Sequence, residues 1–220
     1  MRAITIFVLV LVLPPGGLAA TSPRQAEQAA EASPRQPELQ APLEIGSYRP
    51  ALMASAIFQE TNRVRRRAGL RPFRPLAKLD EAADLQAGIG ALLPGVDHHN
   101  PLPGLGDAAD RVHAVGLEYT LLAENIALTM TLDVTNVDGG VTVEGRDASR
   151  HYVDAKTGRT LVPLTYAGFA AAVVKQWMDS PPHRANILNP QLRYLGCSAH
   201  WRHDYTDLDT LYSVQVFMAR

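Results

Sequence analysis

From Ala51 to Ala68, apolar residues recur at three- and four-residue steps: Leu52, Ala56, Ile57 or Phe58, Thr61, Val64. That period predicts an amphipathic helix. Gly69 follows as a stop signal. Arg63, Arg65, Arg66 and Arg67 crowd the last turn, where the helix dipole favours cations. A second helix is predicted over Leu76–Leu93, with Leu79, Ala83, Ala87 and Ile89 or Gly90 on one side and Pro94-Gly95 at its end. The run from His98 to Gly104 reads as a loop by its turn residues. Asp107 is placed to cap a short helix through Val115, which Gly116 closes. Phe169, Val173 and Trp177 give Tyr166–Met178 an apolar helical face, and Ser180-Pro181-Pro182 is expected to stop it.

The period then changes from three and four to two. Tyr212, Val214, Val216 and Met218 alternate with Ser213, Gln215 and Phe217, so Thr210–Met218 reads as a strand. Leu195–Trp201 is a second strand candidate, while Thr120–Ala127 is mixed and takes no assignment. Between Thr129 and Pro163 the texture is different again, with Val134, Val137, Val141 and Val143 among Thr, Asp and Gly. There His151–Asp154 and Thr160–Val162 flank Lys156-Thr157-Gly158-Arg159, which predicts a hairpin. Helices come first and strands last, without regular alternation, so the fold class expected is α+β and not a doubly wound sheet.

The amino terminus reads as an address. Arg2 precedes an apolar run from Ala3 to Leu13, and Pro14-Pro15-Gly16-Gly17 breaks it. That run is about half the ~20 residues a membrane span needs. Small residues at Ala19 and Ala20 complete a secretory signal peptide over residues 1–20. No cysteine lies nearby to take a lipid anchor. Residues 21–46 are rich in Pro, Gln and Ala, with Pro23, Pro34, Pro37 and Pro42 interrupting any helix, and are expected to be a flexible leader. The folded domain is expected over 47–220, and the mature protein is expected in the periplasm or outside the cell, with no stable membrane span.

Charge and cysteine content narrow the chemistry. With 21 Lys+Arg against 22 Asp+Glu, there is no global field to attract nucleic acid or an anionic membrane. The arginine run at 63–67 has no matching basic surface elsewhere, so no nucleic-acid partner is expected. The 1 cysteine, Cys197, rules out an internal disulfide, a Cys-based zinc framework and a thiol pair. It is expected buried in a strand. Seven histidines remain for metal or acid-base work: His98, His99, His113, His151, His183, His200 and His203. No HExxH, GxSxG or Walker A run is present, so any site must be assembled from separate loops. His200 and His203 with Asp204, Asp207 and Asp209 miss the calcium-loop spacing and read as a solvated turn.

Several runs, in order, resemble the CAP superfamily, named from cysteine-rich secretory proteins, antigen 5 and pathogenesis-related protein 1. They are Asn62-Arg63-Val64-Arg65 with Gly69-Leu70-Arg71-Pro72, then His98, then Ala123-Glu124-Asn125-Ile126-Ala127. Trp177 to Pro190, through Pro181-Pro182-His183-Arg184-Ala185-Asn186, is the strongest match, followed by Leu195-Gly196-Cys197 and Tyr212–Phe217. The disulfide-free bacterial branch is the most similar. The resemblance implies an α-β-α sandwich, with a small antiparallel sheet between helices and Thr129–Pro163 left over as an insertion. It also implies a cleft carrying His98, with His99 as the competing register, Glu124 and His183. Ser180 stands where many relatives carry a second Glu, and Ala123 replaces the Gly before Glu124.

Two neutral imidazoles from different loops suit Zn²⁺, so His98 and His183 are the candidate metal ligands. Glu124 could orient one imidazole or act as a base on a bound water. The same three groups could instead only satisfy one another and pin three loops. The expected function is therefore a secreted binding domain for a small molecule, lipid, peptide or divalent metal, expected to be monomeric. A zinc-assisted, protease-like hydrolase and a structural domain without catalysis remain as alternatives.

Overall fold

The computed structural model describes residues 36–145, 151–202 and 208–220. The signal sequence, residues 21–35 of the leader, and His203, Asp204 and Asp207 lie outside them. In chain order the elements are α1 (Gln36–Leu39), a 3-10 turn (Ile45–Ser47), α2 (Pro50–Arg67), β1 (Arg74–Pro75), α3 (Ala77–Gly90) and α4 (Ala108–Ala114). Then follow β2 (Leu121–Met130), β3 (Val141–Glu144), β4 (His151–Asp154), α5 (Tyr166–Asp179), α6 (Pro181–Leu188), β5 (Tyr194–Trp201) and β6 (Thr210–Ala219).

The middle layer is a four-stranded sheet in the order β1-β5-β6-β2. β5 and β2 both pair antiparallel with β6, and the two-residue β1 runs parallel to β5. Side chains on successive strand residues point to opposite faces. Accordingly Tyr212, Val214, Val216 and Met218 join Leu79, Ala83 and Ala87 of α3 and Val112 of α4 in one core. The odd positions Leu211 and Phe217 join Ile57 of α2 and Phe169, Val173 and Trp177 of α5 in the other. Helices thus cover both faces of the sheet, which is the α-β-α sandwich expected.

Both faces of β6 being buried explains its polar residues. Gln215 is 0% exposed, and its amide is held between Thr61 Oγ1 at 2.7 Å and Asn125 Nδ2 at 3.1 Å. Asn62 and Arg65 fasten α2 to neighbouring loops. Asn62 exchanges two hydrogen bonds with the Phe73 backbone, and Arg65 donates to the carbonyls of Arg71, Ile187 and Asn189. Burial of Arg65 removes it from the arginine run, and Arg63 pairs with Glu60.

Three sequence expectations change. The leader was expected to run to residue 46, but the packed domain reaches back to α1. Leu39 and Leu43, among the few large apolar residues of that stretch, are buried in the α2–α5 core. The Leu43 N–H donates to the Leu164 carbonyl at 2.8 Å. Thr120–Ala127, unassigned from its pattern, lies mostly within the ten-residue strand β2. Its outer edge is covered by α6, a helix hidden because Ser180-Pro181-Pro182 read only as a stop. Proline is favoured at the first helical position, where its missing N–H costs nothing, so the same residues start α6 as well as end α5.

The excursion after β2 is shorter than expected, since Thr129 and Met130 belong to the strand. The predicted turn at Asp154–Arg159 forms, with Asp154 N–H donating to Arg159 O at 2.9 Å. However, β4 finds its ladder partner in β3, and only Val153 bridges to Thr160. Leu132, Tyr152 and Leu161 make a small core of their own there. Asp133 N–H donates to Val162 O at 2.9 Å, so the ends of the excursion already meet. Replacing residues 134–161 by a short Gly linker is therefore expected to leave a folded domain, because loop length costs little. Loss of a cooperative thermal transition in that variant would contradict this reading.

Candidate functional site

Glu124 sits on β2 between Ala123 and Asn125, and its even-numbered position points it to the α3–α4 side of the sheet. Ala123 is in regular strand, and Asn136 has the single positive non-glycine φ among the described residues. The Ala that replaces the family's Gly therefore carries no backbone strain.

The Glu124 side chain is 3% exposed, and both its oxygens are engaged. Oε2 accepts from the Arg111 guanidinium at 2.7 Å, and Oε1 lies 2.9 Å from His98 Nδ1. A carboxylate only accepts, so Nδ1 carries the proton and the neutral ring offers a lone pair at Nε2. The His98 side chain is 58% exposed, so that outer nitrogen is held toward solvent. In the competing register, the His99 ring lies against Gly106, and the His99 backbone N–H donates to Asp97 Oδ1.

Arg111 gave no signal in the sequence. It lies on α4, a short helix whose N-terminus is closed by reciprocal Asp107–Asp110 capping. Its side chain is 0% exposed. Besides Glu124 it donates to the carbonyls of Leu105, Gly106 and His98, so one guanidinium folds the His98 loop onto the carboxylate. Such charge-assisted, multiply bonded arrangements are the strong hydrogen bonds of proteins.

His183 arrives on α6 from around the edge of β2. Asn125 Nδ2 donates to the His183 carbonyl at 3.2 Å, and Asn186 Nδ2 donates to Asn125 Oδ1 at 2.9 Å. Asn125, Gln215 and Thr61 continue this chain of side-chain bonds through the core to α2. Sequence reasoning placed Asn125 and Asn186 in motifs but gave them no role; they tether the His183 helix to the Glu124 strand. Ser180 caps the start of α6 through its backbone carbonyl, which accepts from Arg184 N–H. Its hydroxyl makes no capping bond.

The two imidazoles are poised differently. The hydrogen bond to Glu124 is the main cause that raises the His98 pKa, and burial opposes it. Burial, then the charge of His98, lowers that of His183, which stays neutral. A raised folded-state pKa stabilises the fold fully below the unfolded value and loses that contribution as pH rises through the folded value. His98→Gln is therefore expected to cost most stability below the ordinary histidine value of about 6.5, with the cost shrinking as pH rises above the raised His98 pKa. A cost that grows with pH in urea titrations would contradict the pairing.

A family model described as CAP, the cysteine-rich secretory protein family, matches residues 118–217. The chain carries a CAP domain. Among solved structures, this domain is similar to an extracellular SCP-domain protein from Bacillus anthracis, with a TM-score of 0.53 and 20% identity, over 82% of this chain and 45% of that one. A cysteine-rich secretory protein from Staphylococcus aureus matches at 0.47 and 13% identity, over 79% and 40%. An outer surface protein from Borrelia burgdorferi matches at 0.47 and 15% identity, over 76% and 92%. The chain thus spans less than half the length of the first two. Among curated proteins, no sequence matches. At these identities the likeness concerns the fold, and the CAP domain's chemistry rests on its own residues. Among the described residues, three further histidines have partners of their own: His113 stacks on Tyr119, His151 lies beside Glu144, and His200 bonds Asp84. Among the described residues no helix is long and apolar enough to cross a membrane.

Proposed function

We propose that this CAP domain is an exported binding module whose His98 and His183 hold a divalent metal ion or a small ligand. Glu124 orients His98 in this reading. The observation that carries it is the state of the carboxylate: both oxygens are occupied, one by a buried guanidinium, and the partner ring is left with its outer nitrogen exposed. A carboxylate so engaged is a positioning group. The zinc-assisted hydrolase would need it free as a general base, and so draws no support from this geometry. Export is supported by the signal-like residues 1–20 and by the extracellular description of the similar Bacillus anthracis protein.

The donor set suits a borderline cation in part. Two imidazoles, one with its tautomer held by a carboxylate, are ordinary zinc ligands. Among the described residues, however, no group of three or more His, Cys, Asp or Glu side chains comes together to hold a metal. An open site in this reading would take His98 Nε2 and His183 as its protein ligands, completed by water or by the ligand's own oxygens. A bound cation would supply positive charge to polarise such an oxygen.

Calorimetric titration of the full chain with zinc chloride tests this reading. Saturable binding is expected, lost in His183→Ala while the fold persists. Glu124→Gln is expected to bind roughly 10- to 100-fold more weakly, as for other groups that orient a metal-bound histidine. No zinc uptake by the wild-type chain, or equal uptake by His183→Ala, would leave the second reading. In that reading the Arg111–Glu124–His98 group only pins the loop to the sheet, which its fully buried guanidinium favours.

A further inference from the structure

β1 pairs with Tyr194 and Leu195, so from Gly196 onward the outer edge of β5 has no strand beside it among the described residues. An exposed edge of this kind is normally covered or blunted. Here side chains cover it: Asp80 Oδ1 accepts from the Cys197 N–H at 2.9 Å, and the Tyr48 hydroxyl donates to the Ala199 carbonyl at 2.6 Å. Between α2, α3 and this edge lies a cavity of about 650 Å³. That volume is within the ~300–1,000 Å³ range of small-molecule sites. None of its lining residues belongs to the His98 group.

The lining has two parts. Ala51 and Ala54 of α2, Leu85 of α3 and Val115 form apolar walls. Asp80, Glu81 and Asp84, from one face of α3, supply carboxylates, and among the described residues no lysine or arginine lines the cavity. Among the described residues neither Asp80 nor Glu81 has an ion-pair partner. Burial pushes the Asp80 carboxyl up to about 6, against the lowering hydrogen bond from Cys197 and with a further rise from Glu81. A carboxyl in that position gains most from a cation supplied from outside. Asp84 is different: its Oδ1 already takes the Ser198 hydroxyl and His200 Nε2, each at 2.7 Å. Cys197 closes the cavity beside them. It is 1% exposed, its thiol has no hydrogen-bond partner among the described residues, and burial raises its pKa, so it stays neutral.

We propose that this cavity binds an organic cation, with its ammonium group against Asp80 and Glu81 and its apolar chain along Ala51, Ala54 and Leu85. The charge specifies the head and the apolar walls specify the body. Neither a fatty acid nor a neutral alcohol of the same length would satisfy both.

The test is calorimetric titration of the full chain with octylammonium chloride, beside sodium octanoate and octanol. Saturable binding of octylammonium is expected, with octanoate not bound. Asp80→Asn keeps an acceptor for the Cys197 N–H and removes the charge; it should weaken octylammonium roughly tenfold or more, as loss of one close charge implies. Glu81→Gln, at an exposed position, should weaken it in the same direction and guards against misfolding of the first variant. Ala54→Phe fills the cavity without touching a charge and should abolish binding. Octanol binding as tightly as octylammonium, no saturable octylammonium binding, or wild-type affinity in Glu81→Gln and Ala54→Phe would overturn the proposal.

Discussion

Arg111→Met should cost roughly 3–5 kcal/mol of folding stability, the range found when one partner of a buried ion pair is removed. The substitution leaves the Glu124 carboxylate, 3% exposed, with only the His98 ring as partner. It also strips donors from the carbonyls of Leu105, Gly106 and His98. Much of the cost is the charge left behind, so adding Glu124→Leu to Arg111→Met should recover part of it. Urea denaturation of the two single variants and the double variant reads this coupling. Strictly additive costs would show that the guanidinium and the carboxylate do not depend on one another.

Gly196→Ala should be nearly as damaging, for a steric reason. A Cβ at this position would lie 2.2 Å from the carbonyl carbon and oxygen of Leu79 and 2.6 Å from the Asp80 nitrogen. These are backbone atoms of α3, so no side chain can swing aside, and the helix must lift off β5. Overpacking of that kind is expected to cost about 3 kcal/mol or more, which for a chain of this size lowers the melting temperature by roughly 6–12 °C. A melting temperature within a couple of degrees of wild type would mean that α3 and β5 separate freely. The close approach also sets the site, because α3 carries Asp80 to the β5 edge and packs the face toward which Glu124 points.

What the sequence disclosed followed from which residues had a single role. α2, α3 and α5 have one apolar face each, and their period placed them within about three residues of their ends. β2 was illegible because both of its faces are buried and its centre is Glu124-Asn125, whose partners are distant side chains. α6 was hidden by a proline pair that ends one helix and opens the next. Leu39 and Leu43 were lost among prolines and glutamines, yet two leucines suffice to dock a short segment on a core already formed. Of the candidate site, His98, Glu124 and His183 could be picked out through the motifs that resemble the CAP superfamily. Arg111 could not, since a lone arginine on a seven-residue helix makes no pattern until the loop at 98–106 folds over it. Ser180, a cleft candidate by its place in the motif, stands at the junction of α5 and α6.

The claim at the centre of this account is that Glu124 holds His98 with its outer nitrogen free for a ligand shared with His183. Nitrogen NMR of the histidine-labelled full chain reads it directly. Once the pH has risen above the raised His98 pKa, the His98 ring should show its one proton on Nδ1, and zinc chloride should shift His98 Nε2 together with a ring nitrogen of His183, leaving His99 and His113 in place. A His98 proton on Nε2, or a zinc response at His99 with none at His183, would contradict it.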